Sequence, residues 1–110
     1  MPPGIKQPTV IPPAPIPNGV YIYTLACAHG AHYAGSARDV ARRLAQHRAG
    51  LGARFTRDRG DMKLVHVEDP FDGATAIARE AQLKRWSHAK KAALIRGDLL
   101  QLRALSQSHD

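Results

Sequence analysis

Phenol, guanidinium and imidazole side chains recur at close spacing near the middle of this chain. Tyr21 and Tyr23 lie in one apolar segment, and Tyr33 begins the next. Arg43 and His47 follow, four residues apart, so a helix would place them on one face. Guanidinium binds phosphate oxygens, and phenol and imidazole can exchange protons. The group therefore suits hydrolysis of a phosphodiester.

The charge of the chain agrees with a polyanionic partner. Its 110 residues carry a formal net charge of +7, and the isoelectric point is about 10.2. A chain of this length predicts one domain with a small core. A basic surface attracts nucleic acid first and an anionic membrane second.

Cysteine usage and hydropathy exclude several other classes of protein. The single cysteine, Cys27, allows neither an internal disulfide nor a cysteine-based zinc site, and its place at the end of an apolar run favours packing in the core. No apolar run reaches membrane-spanning length, and the first residues lack the pattern of a secretory signal. We expect a cytoplasmic protein.

The chain divides into a tail, a domain and a C-terminal piece. Residues 1–17 contain seven of the eight prolines, which predicts a flexible, polyproline-like tail. We expect the domain at 18–96, followed by a helix and tail at 97–110. The fold class is α/β (α+β), with a small, three-stranded, mostly antiparallel sheet flanked by helices.

The first two strands should form a hairpin. Residues 19–27 are rich in β-branched and aromatic side chains, residues 28–30 are a turn signal, and residues 31–35 form a second short strand. With a three-residue turn, Tyr33 lies opposite Leu25 and shares a face with the two earlier tyrosines. A two-residue turn would put it on the other face, and the sequence leaves the turn open.

Capping residues mark the starts of the predicted helices. Serine and aspartate accept hydrogen bonds from the first backbone amides of a helix. The remaining elements are a helix from Ser36 or Asp39 to about Arg48, a strand at 63–67, a helix capped by Asp72 that ends near Trp86, and two further helices after Ser87 and Gly97.

The order and spacing of these segments resemble the GIY-YIG nuclease domain, which occurs in homing endonucleases and in the UvrC excision-repair subunit. The likeness is closer to small, stand-alone bacterial GIY-YIG proteins of the UPF0213 type. It covers roughly residues 19–96. The matching segments are 27–30, 33–35, 39–47, 52–57, 63–65, 79–81 and 90–95.

The resemblance implies metal-dependent phosphodiester hydrolysis in which a tyrosine of the first motif activates water. By its letters, the motif Gly19-Val20-Tyr21 makes Tyr21 the base. By spacing, Tyr23 fits better, since it stands ten residues before Tyr33, which matches the tyrosine of the second motif. We favour Tyr23. A phenol has a pKa of about 10, so a base near neutrality needs a metal-bound water or a cation beside it.

The resemblance also assigns a phosphate ligand, a proton carrier and a metal ligand. Arg43 matches the arginine that steadies the phosphate, and His47 matches a partner one turn later that carries a proton or contacts phosphate. Glu80 matches the glutamate that holds one divalent metal, Mg²⁺ or Mn²⁺. The alternatives are a surface histidine at His47 and an exposed glutamate paired with Lys84 at Glu80.

Further residues are predicted to contact the nucleic acid. Gly35 matches the glycine of the second motif, where the missing side chain permits close approach of a phosphate or a helix. Basic side chains form two groups that could follow a phosphate backbone. The groups are Arg54, Arg57, Arg59 and Lys63 around the loop after the first helix, and Lys84, Arg85, Lys90 and Lys91 later in the chain.

These observations predict a divalent-metal-dependent endonuclease or nickase with a role in DNA repair or recombination. The expected partner is single-stranded or structured DNA, because no additional domain supplies sequence specificity. One alternative is a nucleic-acid-binding domain that keeps the fold without catalysis. Another is a protein-binding module that works through the proline-rich tail.

Overall fold

A computed structural model describes residues 10–27, 30–50 and 62–109, the last three without their side chains. This part of the chain contains three strands and four helices, which confirms the predicted α+β class. In order they are β1 (Tyr21–Cys27), β2 (His32–Ala37), α1 (Val40–Arg48), β3 (Met62–Val67), α2 (Gly73–Arg85), α3 (His88–Arg96) and α4 (Leu99–His109). No helix among these residues is long and apolar enough to cross a membrane.

The sheet has the strand order β2-β1-β3, and both pairings are antiparallel. In the hairpin of β1 and β2, Leu25 lies opposite Tyr33, as expected for a three-residue turn. Residues 28 and 29 of that turn lie outside the described residues. Tyr21, Tyr23 and Tyr33 accordingly belong to one cluster on one face of the sheet.

Alternation along β1 divides the core between two faces. Tyr23 and Leu25 pack with Val40 and Leu44 of α1. Ile22 packs on the opposite face against α2, in a second cluster that includes Ala34, Ala76 and Leu83 and is partly covered by Trp86. The sheet is therefore sandwiched between α1 and α2. Cys27 is buried with the first cluster, as its apolar context predicts.

Most of the predicted helix caps are present. Asp39 is the N-cap of α1, and Asp72 and Ser87 are the N-caps of α2 and α3. Gly97 ends α3 at a φ of 71°, a left-handed conformation that favours glycine. Ser36, the other candidate cap of α1, instead lies inside β2, and its hydroxyl donates to Glu80 of α2.

Residues 10–17 of the proline-rich segment contact the domain. The Val10 amide donates to the Leu64 carbonyl of β3 at 2.8 Å, and the Ala14 carbonyl accepts the Tyr21 hydroxyl at 2.8 Å. Val10 also packs against the core cluster of α1. Residues 1–9 lie outside the described residues, so the flexibility of that part of the tail stays a prediction.

Candidate active site

A buried tyrosine–histidine pair lies between the sheet and α1. The Tyr23 hydroxyl and His47 Nε2 are 2.9 Å apart, and the two residues are 1% and 2% exposed. The Tyr33 ring lies edge-on to His47, with ring centroids 5.3 Å apart. Strands β1 and β2 and helix α1 thus bring together three residues that the sequence pattern selected.

Gly35 makes room for the two phenols. A Cβ atom at this position would lie 2.6 Å from the Tyr23 hydroxyl oxygen and 3.1 Å from the Tyr33 ring. These separations are shorter than van der Waals contact, so a side chain here would displace Tyr23. The close approach expected at Gly35 is therefore made by tyrosine side chains. Contact between Gly35 and nucleic acid stays a prediction.

The environment of the pair holds both members in their neutral forms. Burial, with a smaller effect from Tyr33, raises the pKa of Tyr23 to about 12, although a hydrogen bond and the charge of Arg43 act in the opposite direction. Burial, followed by the charge of Arg43, lowers the pKa of His47. At neutral pH a protonated phenol can therefore donate to an unprotonated Nε2, with the imidazole proton on Nδ1.

Tyr21 lies in a different setting from Tyr23, although both face α1. Its hydroxyl donates to a backbone carbonyl in the N-terminal segment, at Ala14. That contact ties the segment to the sheet, and a carbonyl cannot receive a proton from the phenol as an imidazole can. The structure thus separates two tyrosines that the sequence left as alternatives.

Arg43 is exposed at the mouth of this cluster, and besides its interaction with the Tyr23 hydroxyl two contacts orient its guanidinium. Its Nε donates to Gln46 Oε1 at 3.2 Å, and its Nη1 donates to the Ser36 carbonyl at 3.1 Å. These bonds use two of the five N–H groups of the side chain. The arginine is therefore oriented by its neighbours while it stays accessible to a phosphate.

Glu80 of α2 is bonded to two donors. Ser36 Oγ donates to Oε1 at 2.7 Å, and Lys84 Nζ lies 2.9 Å from Oε2. Burial raises the pKa of the Glu80 carboxyl, but the hydrogen bonds from Ser36 and Lys84 outweigh it, so the pKa is lowered and the group stays ionised. Lys84 Nζ also lies 5.4 Å from the centroid of the Tyr33 ring. The ion pair with Lys84 that the alternative interpretation expected is present. Glu80 is nevertheless half-buried, and its two donors orient the carboxylate.

Sequence reasoning missed Ser36, which it assigned only as a possible cap. The residue directly follows the motif glycine on β2. Its register partner is Ile22, so its side chain lies on the α2 face, where Glu80 is found. The signal was strand alternation, which places neighbouring residues on opposite faces.

Glu80 is the carboxylate that the sequence pattern selected as a metal ligand. Among the described residues no group of three or more histidine, cysteine or acidic side chains is close enough to hold an ion. Glu80 fits Mg²⁺ nonetheless, because this ion retains several waters and takes one or two carboxylates together with substrate phosphates. Another acidic residue, Glu68, is already bonded to Arg79 and His66. Its pKa is raised by burial but lowered overall to about 2 by hydrogen bonds from Arg79 and His66.

The predicted basic residues lie in several different settings. Arg54, Arg57 and Arg59 lie outside the described residues, and Lys63 is exposed on β3. Lys84 and Lys91 line a cavity of about 270 Å³ beside Tyr33. Lys90 is only 4% exposed, and its Nζ lies 4.6 Å from the centroid of the Trp86 ring. That burial disfavours a direct contact between Lys90 and nucleic acid.

Comparison with known proteins identifies the class of the chain. Residues 19–93 match the family model described as the GIY-YIG catalytic domain. The chain therefore belongs to the GIY-YIG family, and the resemblance found in its motifs is confirmed. Membership of this family indicates nuclease activity and a nucleic-acid substrate in general. The nucleases of the family typically use divalent metals.

Relatives with similar sequences carry the name UPF0213 protein. One from Natronomonas pharaonis is 43% identical over 75 residues, which cover 68% of this chain and 88% of the relative. One from Vibrio cholerae is 38% identical over 85 residues, covering 76% and 84%. The solution NMR structure of a UPF0213 protein from Bacillus halodurans is 37% identical, covers 71% of this chain and 83% of its own, and has a TM-score of 0.46. These names state no activity.

Proposed function

We propose that this protein is a divalent-metal-dependent endonuclease or nickase that hydrolyses phosphodiester bonds of single-stranded or structured DNA. The observation that carries the proposal is the buried hydrogen bond between Tyr23 and His47, with Arg43 at its mouth and the ionised Glu80 nearby. A role in repair or recombination belongs to the same proposal and depends on the family resemblance.

Proton transfer is the step that the buried pair explains best. With a pKa of about 12, Tyr23 is a phenolate in only about one molecule in 10⁵ at pH 7. A relay avoids that intermediate. The attacking water gives a proton to the Tyr23 oxygen while Tyr23 gives its own to His47 Nε2, so the phenol ends neutral and the imidazole becomes a cation. His47 begins neutral because burial lowers its pKa.

Charge on the phosphate is balanced by groups from both helices. Arg43 can bind two phosphate oxygens at once, and its contacts with Ser36 and Gln46 orient it beforehand. Glu80 would hold Mg²⁺ or Mn²⁺, and such an ion neutralises charge that develops on the phosphate. Ser36 and Lys84 keep the Glu80 carboxyl ionised and oriented.

The proposal is tested by incubating purified protein with labelled single-stranded, duplex and branched DNA, in Mg²⁺, in Mn²⁺ and in EDTA. We expect cleavage with either metal, none in EDTA, and none by Glu80→Gln. Asp69→Asn is the matched control, because it removes the same charge from an exposed side chain. If folded wild-type protein cuts none of the substrates with metal present, the protein is not a DNA nuclease. Binding without cutting would then indicate the non-catalytic alternative.

A further inference from the structure

A second cleft opens beside the candidate active site, and we call it the arginine cleft. Its volume is about 440 Å³, and its lining includes Ser36, Arg38, Asp39, Arg42, Arg43 and Gln46. It lies where the end of β2 meets the first turns of α1. Its position makes it a candidate for a second contact with the substrate.

The charge in the arginine cleft is strongly positive. Three guanidinium groups line it against the single carboxylate of Asp39, which accepts a hydrogen bond from the backbone of α1. Arg38 and Arg42 are exposed. The structure gives neither guanidinium a hydrogen bond or an ion pair within the described part of the chain. Guanidinium groups in such a cleft suit the planar, two-point binding of a phosphate group.

The arginine cleft and the candidate active site share two residues. The Ser36 hydroxyl donates to Glu80, while the Ser36 carbonyl accepts from Arg43. Both residues also line the cleft. A phosphate held by Arg38 and Arg42 would therefore be a close neighbour of a phosphate held at Glu80 and Arg43, as consecutive phosphates of one strand are.

We propose that the arginine cleft binds the phosphodiester next to the one that is cut, through Arg38 and Arg42. The strand then runs from Glu80, past Ser36, into the cleft. This inference rests on the proposed function and adds a subsite to it: a substrate must continue for at least one nucleotide on this side. The ligand is a phosphodiester within a strand, and a free phosphate or mononucleotide offers the same chemistry.

The test measures binding and cleavage separately. Binding of a short, labelled, single-stranded oligonucleotide is followed by fluorescence anisotropy in EDTA, where no cutting occurs. The variant carries Arg38→Gln and Arg42→Gln. The matched control carries Arg96→Gln and Arg103→Gln, which remove the same charge from exposed positions on α3 and α4. Circular dichroism melting checks that both variants fold.

We expect the cleft variant to bind at least about tenfold more weakly than the control at low salt. Its salt slope should be smaller by about 0.7 for each phosphate that the protein no longer neutralises. A single neutral methylphosphonate linkage is placed at successive positions of the oligonucleotide. At one position it should weaken binding by the wild type more than it weakens binding by the cleft variant. Cleavage by the cleft variant at subsaturating protein should slow as binding weakens, because the cleft contributes to the affinity for the substrate.

Three results would overturn the inference. Equal weakening in both variants would mean that only general surface charge matters. Displacement of the oligonucleotide from wild type, but not from the cleft variant, by millimolar inorganic phosphate or thymidine monophosphate would assign the cleft to a free anion. Absence of binding by wild type would remove the subsite altogether. Binding that depends on Arg38 and Arg42 without any cutting would refute the proposed nuclease and leave the cleft as a binding site for the phosphodiester of a strand. Cutting by a protein whose DNA binding does not depend on Arg38 and Arg42 would refute the subsite and leave the proposed nuclease.

Discussion

Removal of one hydroxyl group separates the two tyrosines of the first motif. Tyr23→Phe keeps the ring, which is almost fully buried, and deletes only the oxygen that lies 2.9 Å from His47 Nε2. Tyr21→Phe deletes a hydroxyl that donates to the Ala14 carbonyl instead. The two changes are chemically identical, so each is the control for the other.

The expected loss of rate is large for Tyr23→Phe and small for Tyr21→Phe. Proton transfer by a positioned side chain contributes about 10²–10⁴-fold, which corresponds to about 3–5 kcal/mol of activation free energy. Stability should respond differently. Tyr23→Phe leaves a buried imidazole nitrogen without its hydroxyl partner, at a cost of about 1–3 kcal/mol, whereas the partly buried bond of Tyr21 contributes about 1 kcal/mol.

The assay is single-turnover cleavage at saturating protein, which isolates the chemical step from binding. Denaturant titration of both variants measures the free energy of unfolding. Oligonucleotide binding in EDTA shows whether the DNA-binding surface is intact in each variant. Active Tyr23→Phe together with inactive Tyr21→Phe would show that the letter match, and not the spacing, identifies the base. Full activity in both would show that neither phenol takes the proton, and His47 would be the next candidate.

Three further predictions concern the contacts of Gly35, Ser36 and His32. Gly35→Ala should displace Tyr23 and abolish cleavage in the single-turnover assay, because its Cβ would lie 2.6 Å from the hydroxyl oxygen; wild-type rates would contradict the close packing. Ser36→Ala removes a donor to Glu80, so its activity should need more Mg²⁺, measured as the half-saturating concentration; an unchanged metal response would mean that Ser36 does not orient the carboxylate. Burial, then His88 and Lys91, lowers the pKa of His32 to about 4 from 6.5, so the folded state binds fewer protons than the unfolded chain. Stability should therefore be full above pH 6.5 and fall by about 1–3 kcal/mol toward pH 4, and His32→Asn should reduce that fall in denaturant titrations; an unchanged fall would assign it to other groups.

Local signals in the sequence predicted most of the fold. Strand alternation and helix capping depend on residues within a few positions of each other, and the predicted caps are present at Asp39, Asp72 and Ser87. The length of the hairpin turn was left open by the sequence, and the register of the two strands decides it. The burial of Lys90 depends on the packing of α3 beside Trp86, which no local pattern encodes. The N-terminal segment likewise docks partly through the backbone groups of Val10 and Ala14, which sequence patterns do not distinguish.

The candidate site was predictable in its residue types but not in its connections. Tyr21 and Tyr23 share a residue type and a face, so alternation cannot separate them, and only their tertiary partners do. The bond between Ser36 and Glu80 joins residues 44 positions apart in sequence. Such contacts depend on how α2 crosses the sheet, and a single sequence contains no short-range signal for that.

Under the proposed function, the position of the site at an edge of the sheet explains how two helices on opposite faces would act on one phosphate. Tyr23 and His47 belong to the α1 face, whereas Glu80 comes from α2. Both faces can be reached from β2, which within the described part of the chain pairs with β1 alone and is therefore an edge strand. Ser36 of β2 connects them, since its side chain reaches Glu80 and its carbonyl receives Arg43. A central strand, paired on both sides, would not let one residue serve both faces in this way, because its backbone groups would be used in the sheet. The second motif therefore occupies the strand from which both helices can be reached.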